Sequence, residues 1–80
     1  MTAEIRRLLD VFSNERYFSK IHFAIYLALL VGGPMSAYEL ASFLGYSTNY
    51  IRSAANFMNY VFKIIEVDRS HKPFEYRTKP

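Results

Sequence analysis

The spacing of apolar residues along the chain predicts four helices followed by a β-hairpin. Near the N-terminus, apolar side chains recur at intervals of three and four residues, which is the period of an amphipathic helix; they are Ile5, Leu8, Leu9 and Phe12. The same analysis predicts helices over residues 3–12, 16–31, 37–44 and 48–62. The second is apolar around most of its circumference, so we expect it to be buried on most sides.

The third predicted helix has the clearest end signals. Ser36 and Glu39 have the spacing of a capping box, in which each side chain bonds the other residue's backbone N–H. Gly45 follows the helix at a sharp turn, where we expect a positive φ. Ser47 is placed to cap the fourth helix, and Gly32-Gly33-Pro34 ends the second.

The pattern changes after Lys63. Residues 64–67 are mostly β-branched, which favours a strand. Residues 69–73 have turn composition. Beyond them Phe74, Tyr76 and Thr78 alternate with charged residues, which is the period of a strand with one buried face. The sequence therefore predicts a mainly α domain with a C-terminal two-stranded hairpin.

Length and composition fit one domain over residues 1–80. The chain is 51% hydrophobic and 18% aromatic, so material for a core is present. The most apolar run, residues 23–31, is shorter than the roughly 20 residues that cross a bilayer, and we expect no membrane association. The sequence has no cysteine, which excludes disulfides and Cys-based zinc sites. We see no secretory signal and expect a cytoplasmic protein.

The net charge of +3 is unevenly distributed. Residues 1–68 contain six basic and six acidic residues, whereas residues 69–80 contain four basic residues and one acidic residue. A localised positive patch attracts phosphate groups. The charge pattern therefore indicates that the predicted hairpin carries a positive patch.

The sequence shows little sign of catalytic or metal-binding motifs. The two histidines, His22 and His71, lie far apart in the sequence, and His22 falls within an apolar helix, where a structural role is expected. We find no metalloprotease motif, no phosphate-binding glycine loop and no nucleophile–base pair. We therefore expect no enzymatic activity, no cofactor and no metal site.

Residues 39–51 resemble a helix-turn-helix. Ala41 is small where two helices would cross, Gly45 lies at the turn, and Ile51 would pack the second helix against the first. With the hairpin that follows, residues 21–78 resemble the winged helix-turn-helix DNA-binding regulators, in particular small prokaryotic, archaeal, viral or plasmid types that are broadly similar to MarR and PadR proteins.

This resemblance implies a helix-turn-helix over about residues 36–62 and a wing over about residues 63–78. It implies sequence-specific binding of double-stranded DNA, with a recognition helix in the major groove and the wing on the backbone or in the minor groove. Larger family members have a long dimerisation helix and a ligand-binding domain. Neither is evident here, so we expect no small-molecule effector.

The recognition helix that the resemblance implies has a polar face. Arg52 is suited to guanine, and Asn49 and Asn56 are suited to adenine. Thr48 and Ser53 are suited to contacts with phosphates or bases, and Tyr50, which flanks this face, is placed to reach phosphates. The predicted contacts from the wing are Arg69, Ser70, His71, Lys72 and Arg77.

We also expect a homodimer, because one recognition helix contacts only a few base pairs and a two-fold axis supplies two half-sites. We expect the first two helices to form most of the interface, because the second is apolar on nearly every side, the first offers a separate apolar stripe, and the junction between them is aromatic. The predicted interface residues are Ile5, Leu8, Leu9, Phe12, Tyr17 and Phe18.

Two alternatives remain open at the level of the sequence. The domain could serve as a winged-helix module for protein–protein contact, because its charge is modest. It could also bind DNA for plasmid partition or replication, because the contact surface would be the same as that of a transcriptional regulator.

Overall fold

A computed structural model describes residues 2–80 of the chain. The helices are α1 (Thr2–Asn14), α2 (Lys20–Gly32), α3 (Ala37–Leu44) and α4 (Thr48–Phe57), and a π-helical turn (Met58–Phe62) extends α4. The strands are β1 (Met35–Ser36), β2 (Ile65–Asp68) and β3 (Glu75–Thr78). The described chain is thus mainly helical with a small antiparallel sheet, which confirms the predicted mainly α class.

The predicted ends of α3 and the start of α4 are confirmed. The Ser36 hydroxyl accepts from the Glu39 backbone N–H at 3.1 Å, and the Glu39 carboxylate accepts from the Ser36 N–H at 2.9 Å. Gly45 has a φ of 79°, in the left-handed region that glycine adopts without steric cost. The Ser47 hydroxyl accepts from the Tyr50 N–H at 3.2 Å. These local interactions fix the turn between α3 and α4.

Helix α2 begins at Lys20, so the predicted start at residue 16 is wrong. Ser19 is the N-cap, and His22 completes a capping box because its Nδ1 accepts from the Ser19 N–H at 3.0 Å. Residues 15–19 form the connection from α1. The aromatic residues Tyr17 and Phe18 continue the apolar pattern of α2 into this connection, which explains the misplaced boundary.

The fourth helix was predicted as one element to residue 62, but the α-helix ends at Phe57. The Lys63 N–H donates to the Met58 carbonyl at 2.7 Å, an i to i−5 bond that widens the last turn. The extra residue in this turn leaves Val61 exposed and Phe62 buried. In a continuous α-helix Val61 would share the buried face of Ile51, Ala54 and Met58, and the wider turn is the reason it is exposed.

The sheet has a third strand that the sequence analysis missed. In the described chain its order is β1–β3–β2, and both pairings are antiparallel. Tyr76 of β3 lies opposite Val67 on one side and Met35 on the other. Strand β1 has two residues, too few to show a period, and its partner lies 40 residues further along the chain. The hairpin of β2 and β3 was predicted and is present.

The core lies between the helices and one face of the sheet. Its largest fully buried side chains come from α2, α3, α4, the π-helical turn, and the residues at and just before the start of β2: Tyr26, Ile25, Leu40, Ile51, Met58, Ile64 and Ile65. Ala41 is also buried, and its carbonyl accepts from the N–H groups of Gly45 and Tyr46. The predicted roles of Ala41 and Ile51 at the helix crossing therefore agree with their burial.

The side chains of Arg7 and Tyr26 attach α1 to the rest of the molecule through three hydrogen bonds. The Arg7 guanidinium donates to the carbonyls of Lys79 and Pro80 at 2.6 and 2.7 Å. The phenol of Tyr26 on α2 donates to the Glu4 carbonyl at 3.1 Å, and burial raises the pKa of that phenol. Arg7 thus joins α1 to the segment that follows β3.

Across residues 2–80, no helix combines the length and the apolar character that crossing a bilayer requires.

Candidate nucleic-acid interface

The outer face of α4 presents the polar residues that the sequence analysis singled out. Asn49, Tyr50, Arg52 and Ser53 are exposed, and Thr48 and Asn56 are half-buried. Helix α4 has this orientation because Ile51, Ala54, Ala55 and Met58 bury the opposite face in the core. The structure therefore brings these residues onto one surface except Tyr50, which lies at its edge with its ring centre 5.3 Å from that of Tyr46.

Arg52 is held in position by two contacts. Its guanidinium donates to the Asn49 side-chain carbonyl at 3.2 Å. Its guanidinium carbon also lies 5.8 Å from the centre of the Tyr38 ring on α3, which is a cation–π arrangement. Tyr38 was not singled out from the sequence. An exposed aromatic residue in the first turn of α3 was the available signal.

Asn56 is linked to the sheet. Its Oδ1 accepts from the Tyr76 hydroxyl at 3.3 Å. Burial raises the pKa of Tyr76, so its hydroxyl stays protonated and remains a donor near neutral pH. A bidentate contact with adenine would need the same Oδ1 as acceptor. The structure thus gives Asn56 a role that was not predicted, in which it connects α4 to β3.

The tip of the hairpin is ordered by an acidic residue that the sequence analysis did not single out. Asp68 accepts from the Ser70 N–H at 2.9 Å and also from the Ser70 hydroxyl, and these bonds lower the pKa of the Asp68 carboxyl. Ser70, His71 and Lys72 are exposed beyond it. The guanidinium of Arg69 lies 5.7 Å from the centre of the Phe74 ring.

Arg77 does not join the other hairpin cations. Its Nε donates to the Glu66 carboxylate at 2.8 Å, and these two residues are direct neighbours across β2 and β3. Successive side chains of a strand point to opposite faces. Arg77 therefore lies on the sheet face opposite Tyr76, away from α4, and its charge is paired.

A cleft of about 440 Å³ separates α4 from the hairpin. Arg52 and Asn56 line it from α4, and Arg69 and Lys72 line it from the hairpin. Its apolar walls include Tyr38, Phe74 and Tyr76. Two sets of residues that the sequence analysis assigned separately to a helix and a wing are therefore neighbours across one cleft.

The residues predicted for a dimer interface divide into two groups. Leu8 is only 5% exposed and belongs to the core, and Phe18 is half-buried against that core. Both were predicted at the interface, but their packing within a single chain leaves little of them for a partner. Ile5, Leu9, Phe12 and Tyr17 are exposed.

Helix α2, the other helix expected at the interface, adds exposed apolar residues that the sequence analysis did not name. Phe23, Leu27 and Val31 are spaced by four residues and share one side of the helix. Phe12 and Phe23 make an edge-to-face contact with ring centres 6.3 Å apart, which joins the exposed residues of α1 to those of α2. We call this surface the apolar stripe; its members are Ile5, Leu9, Phe12, Phe23, Leu27 and Val31.

His22 is packed among aromatic rings, in line with the structural role expected for it. The rings of Phe18, Phe57 and Phe62 lie 5.1 to 5.7 Å from the imidazole, measured between ring centres. Burial lowers the pKa of His22. The neutral form suits this environment, because Nδ1 must be unprotonated to accept from Ser19.

Within residues 2–80, no three side chains of histidine, cysteine, aspartate or glutamate are grouped so that they could hold a metal ion. Comparison of the chain with known protein families, with curated proteins and with solved structures finds no match.

Proposed function

We propose that this domain is a winged helix-turn-helix that binds double-stranded DNA with sequence specificity and regulates transcription. The observation that carries the proposal is the convergence of Arg52 on α4 with Arg69 and Lys72 on the hairpin around one cleft. Helix α4 follows the left-handed turn at Gly45, which sets its outer face beside the hairpin.

In this proposal α4 enters the major groove and the hairpin lies along the phosphate backbone. Arg52 contacts a guanine, and the loss of such a contact costs about 1–3 kcal/mol of discrimination between bases. Asn49 and Ser53 flank Arg52 on the exposed face. Arg69 and Lys72 supply affinity that does not depend on sequence, because their charges neutralise phosphates.

The test is a salt titration of duplex binding, after a preferred site has been selected from random duplexes. We expect the logarithm of the binding constant to fall linearly with the logarithm of salt concentration. Replacing Arg69 and Lys72 by alanine lowers this slope by about one unit per lost contact. Arg52→Ala weakens binding to the selected site more than binding to random duplex.

Arg6→Ala is the matched control, because Arg6 is an exposed arginine on α1. It changes the net charge by the same amount as Arg52→Ala. Equal losses for Arg6→Ala and Arg52→Ala on the selected site would refute base contact by α4. A flat salt dependence for the wild-type chain would refute duplex binding and favour a protein-contact module.

We further propose that the protein acts as a homodimer in which the apolar stripe of one copy covers that of the other. Val31 is 84% exposed, Phe12 is 61% exposed, and the stripe runs along both α1 and α2. Several exposed apolar residues on two adjoining helices, joined by the contact between Phe12 and Phe23, are characteristic of an interaction site. A second copy is the occupant that function favours, because a two-fold axis presents two recognition helices to two half-sites.

Leu9→Glu tests this proposal by ultracentrifugation at micromolar concentration. The substitution places a charge in the centre of the stripe without touching the core, so we expect a folded monomer of 9.4 kDa from a dimeric parent. Ala3→Glu, on the opposite side of α1, is the control and leaves the dimer intact. A wild-type chain that sediments as a monomer and binds a single half-site would refute the dimer.

A further inference from the structure

The cleft between α4 and the hairpin has an unusual combination of walls. Three of its lining residues are cationic, namely Arg52, Arg69 and Lys72, and none of the described residues that line it is acidic. The aromatic residues Tyr38, Phe74 and Tyr76 line the same space. A ligand bound in the cleft would therefore contact positive charge and aromatic surface at the same time.

The two guanidinium groups are held in place without losing their charge. Arg52 lies over the Tyr38 ring and Arg69 lies over the Phe74 ring. Within residues 2–80 the structure pairs neither with a carboxylate, unlike Arg77, which is bonded to Glu66. The positive potential of the cleft is thus available to an anion.

We propose that this cleft binds a nucleotide, with its base against the aromatic walls and its phosphate among the three cations. A base has a π-face that stacks on aromatic side chains, and arginine and lysine are the usual partners of phosphate. The Nδ2 of Asn56 completes the site as a hydrogen-bond donor, because only its Oδ1 is engaged by Tyr76.

Size and chemistry together favour a nucleotide over simpler ligands. The volume of about 440 Å³ falls within the range of small-molecule sites, about 300–1,000 Å³. Inorganic phosphate would leave the aromatic walls uncovered, and an uncharged aromatic ligand would leave three cations without a counter-charge. The nucleotide can be free in solution or can be one unit of a single strand.

This site does not require duplex binding, although it shares its cations with the surface proposed for the duplex. Its aromatic walls separate the two proposals. Phe74 contributes stacking surface and no charge, so Phe74→Leu removes part of the nucleotide site. It also removes the ring over which Arg69 lies, but it leaves the charges of Arg69 and Lys72 for the phosphates of a duplex.

The test follows backbone amide shifts by NMR while 5′-AMP, adenosine, ribose 5-phosphate or inorganic phosphate is added. We expect 5′-AMP to shift the amides around Arg52, Arg69 and Phe74, and to bind at least tenfold more tightly than any of the other three. Equal binding of 5′-AMP and ribose 5-phosphate, or of 5′-AMP and adenosine, would overturn the proposal.

Phe74→Leu is compared with Phe43→Leu, the same change at an exposed phenylalanine on α3 that does not line the cleft. Loss of base stacking weakens 5′-AMP binding about 5- to 150-fold in the Phe74 variant, and the Phe43 variant binds as the wild type does. Equal affinities in the two variants would overturn the proposal. A circular dichroism spectrum of each variant verifies that it is folded.

Two further arms identify the source of the nucleotide and separate this site from duplex binding. A single-stranded pentamer of deoxyadenosine that binds at least tenfold more tightly than 5′-AMP assigns the site to single strands, and equal affinity assigns it to free nucleotides. Duplex binding is measured on the same variants. Phe74→Leu weakens duplex binding less than it weakens 5′-AMP binding, because Arg69 and Lys72 keep their charges. A chain that binds 5′-AMP but no duplex refutes only the proposed function, and a chain that binds duplex but not 5′-AMP refutes only this site.

Discussion

Leu8 and Leu9 are adjacent leucines of α1 whose substitutions have very different predicted effects. Leu8 is 5% exposed and belongs to the core, whereas Leu9 is 58% exposed on the apolar stripe. We predict that Leu8→Ala destabilises the fold strongly and that Leu9→Ala does not. The comparison is well matched, because both changes replace leucine by alanine within one helix and therefore alter helix propensity equally.

The expected magnitudes follow from burial. Replacing a buried leucine by alanine costs about 2–5 kcal/mol, from lost transfer free energy and from the cavity left behind. An exposed substitution away from special features stays within about 0.5 kcal/mol. In a domain of this length, each kcal/mol shifts the midpoint of thermal unfolding by about 4–8 °C. Leu8→Ala should therefore lower Tm by about 8 °C or more, and Leu9→Ala by less than about 4 °C.

The assay is urea and thermal unfolding followed by circular dichroism, at protein concentrations low enough that Tm no longer depends on concentration. This condition removes any contribution of self-association through Leu9. A loss of stability in Leu9→Ala as large as that in Leu8→Ala would refute the assignment of the two residues to core and surface. It would also show that Leu9 belongs to the folded protomer rather than to an interface.

Three further predictions concern the ends of helices and the link between α4 and the sheet. Burial lowers the pKa of His22 below its usual 6.5, so as the pH falls the unfolded chain binds a proton at His22 before the folded chain does. The free energy of unfolding should therefore decrease as the pH falls from about 6.5 to the folded-state pKa of His22. His22→Gln keeps an acceptor for Ser19 but cannot bind this proton, so urea unfolding between pH 5 and 7.5 should show a smaller pH dependence in this variant. Gly45→Ala should lower the free energy of unfolding in urea by about 1–2 kcal/mol, because φ is 79° at this position. Gly45→Asn should lower it by less, since asparagine tolerates the left-handed region better than alanine. Equal losses in the two variants would argue that backbone strain is not the cause. Tyr76→Phe should cost about 0.5–1.5 kcal/mol through loss of the bond to Asn56, and should be non-additive with Asn56→Ala in a double-mutant cycle.

Local interactions account for the parts of the fold that the sequence predicted well. The capping box of Ser36 and Glu39 and the left-handed turn at Gly45 involve residues at most five apart, so their signals are visible in the sequence. Strand β1 is defined only by its pairing with β3, 40 residues further on. The boundaries at Lys20 and Phe57 were misplaced because apolar residues continue past both helix ends.

The charged residues of the candidate site could be predicted from the sequence, but the aromatic walls of the cleft could not. Arg52 on α4 and Lys72 on the hairpin could be recognised from charge and position. The roles of Tyr38 and Phe74 arise only when α3, α4 and the hairpin come together around the cleft. Likewise, Leu8 and Leu9 fit the same amphipathic pattern, and only the direction from which α2 packs decides which of them is buried.

The bonds from Arg7 to the carbonyls of Lys79 and Pro80 join segments that are more than 70 residues apart in the chain. Contacts of such high sequence separation form late, because a large loop must close before they contribute any energy. Helix α1 and the segment after β3 are therefore expected to detach together as one cooperative unit, below the free energy of global unfolding. Their amide hydrogens should then exchange with solvent at similar rates, faster than those of α2, which is anchored by Ile25 and Tyr26 in the core.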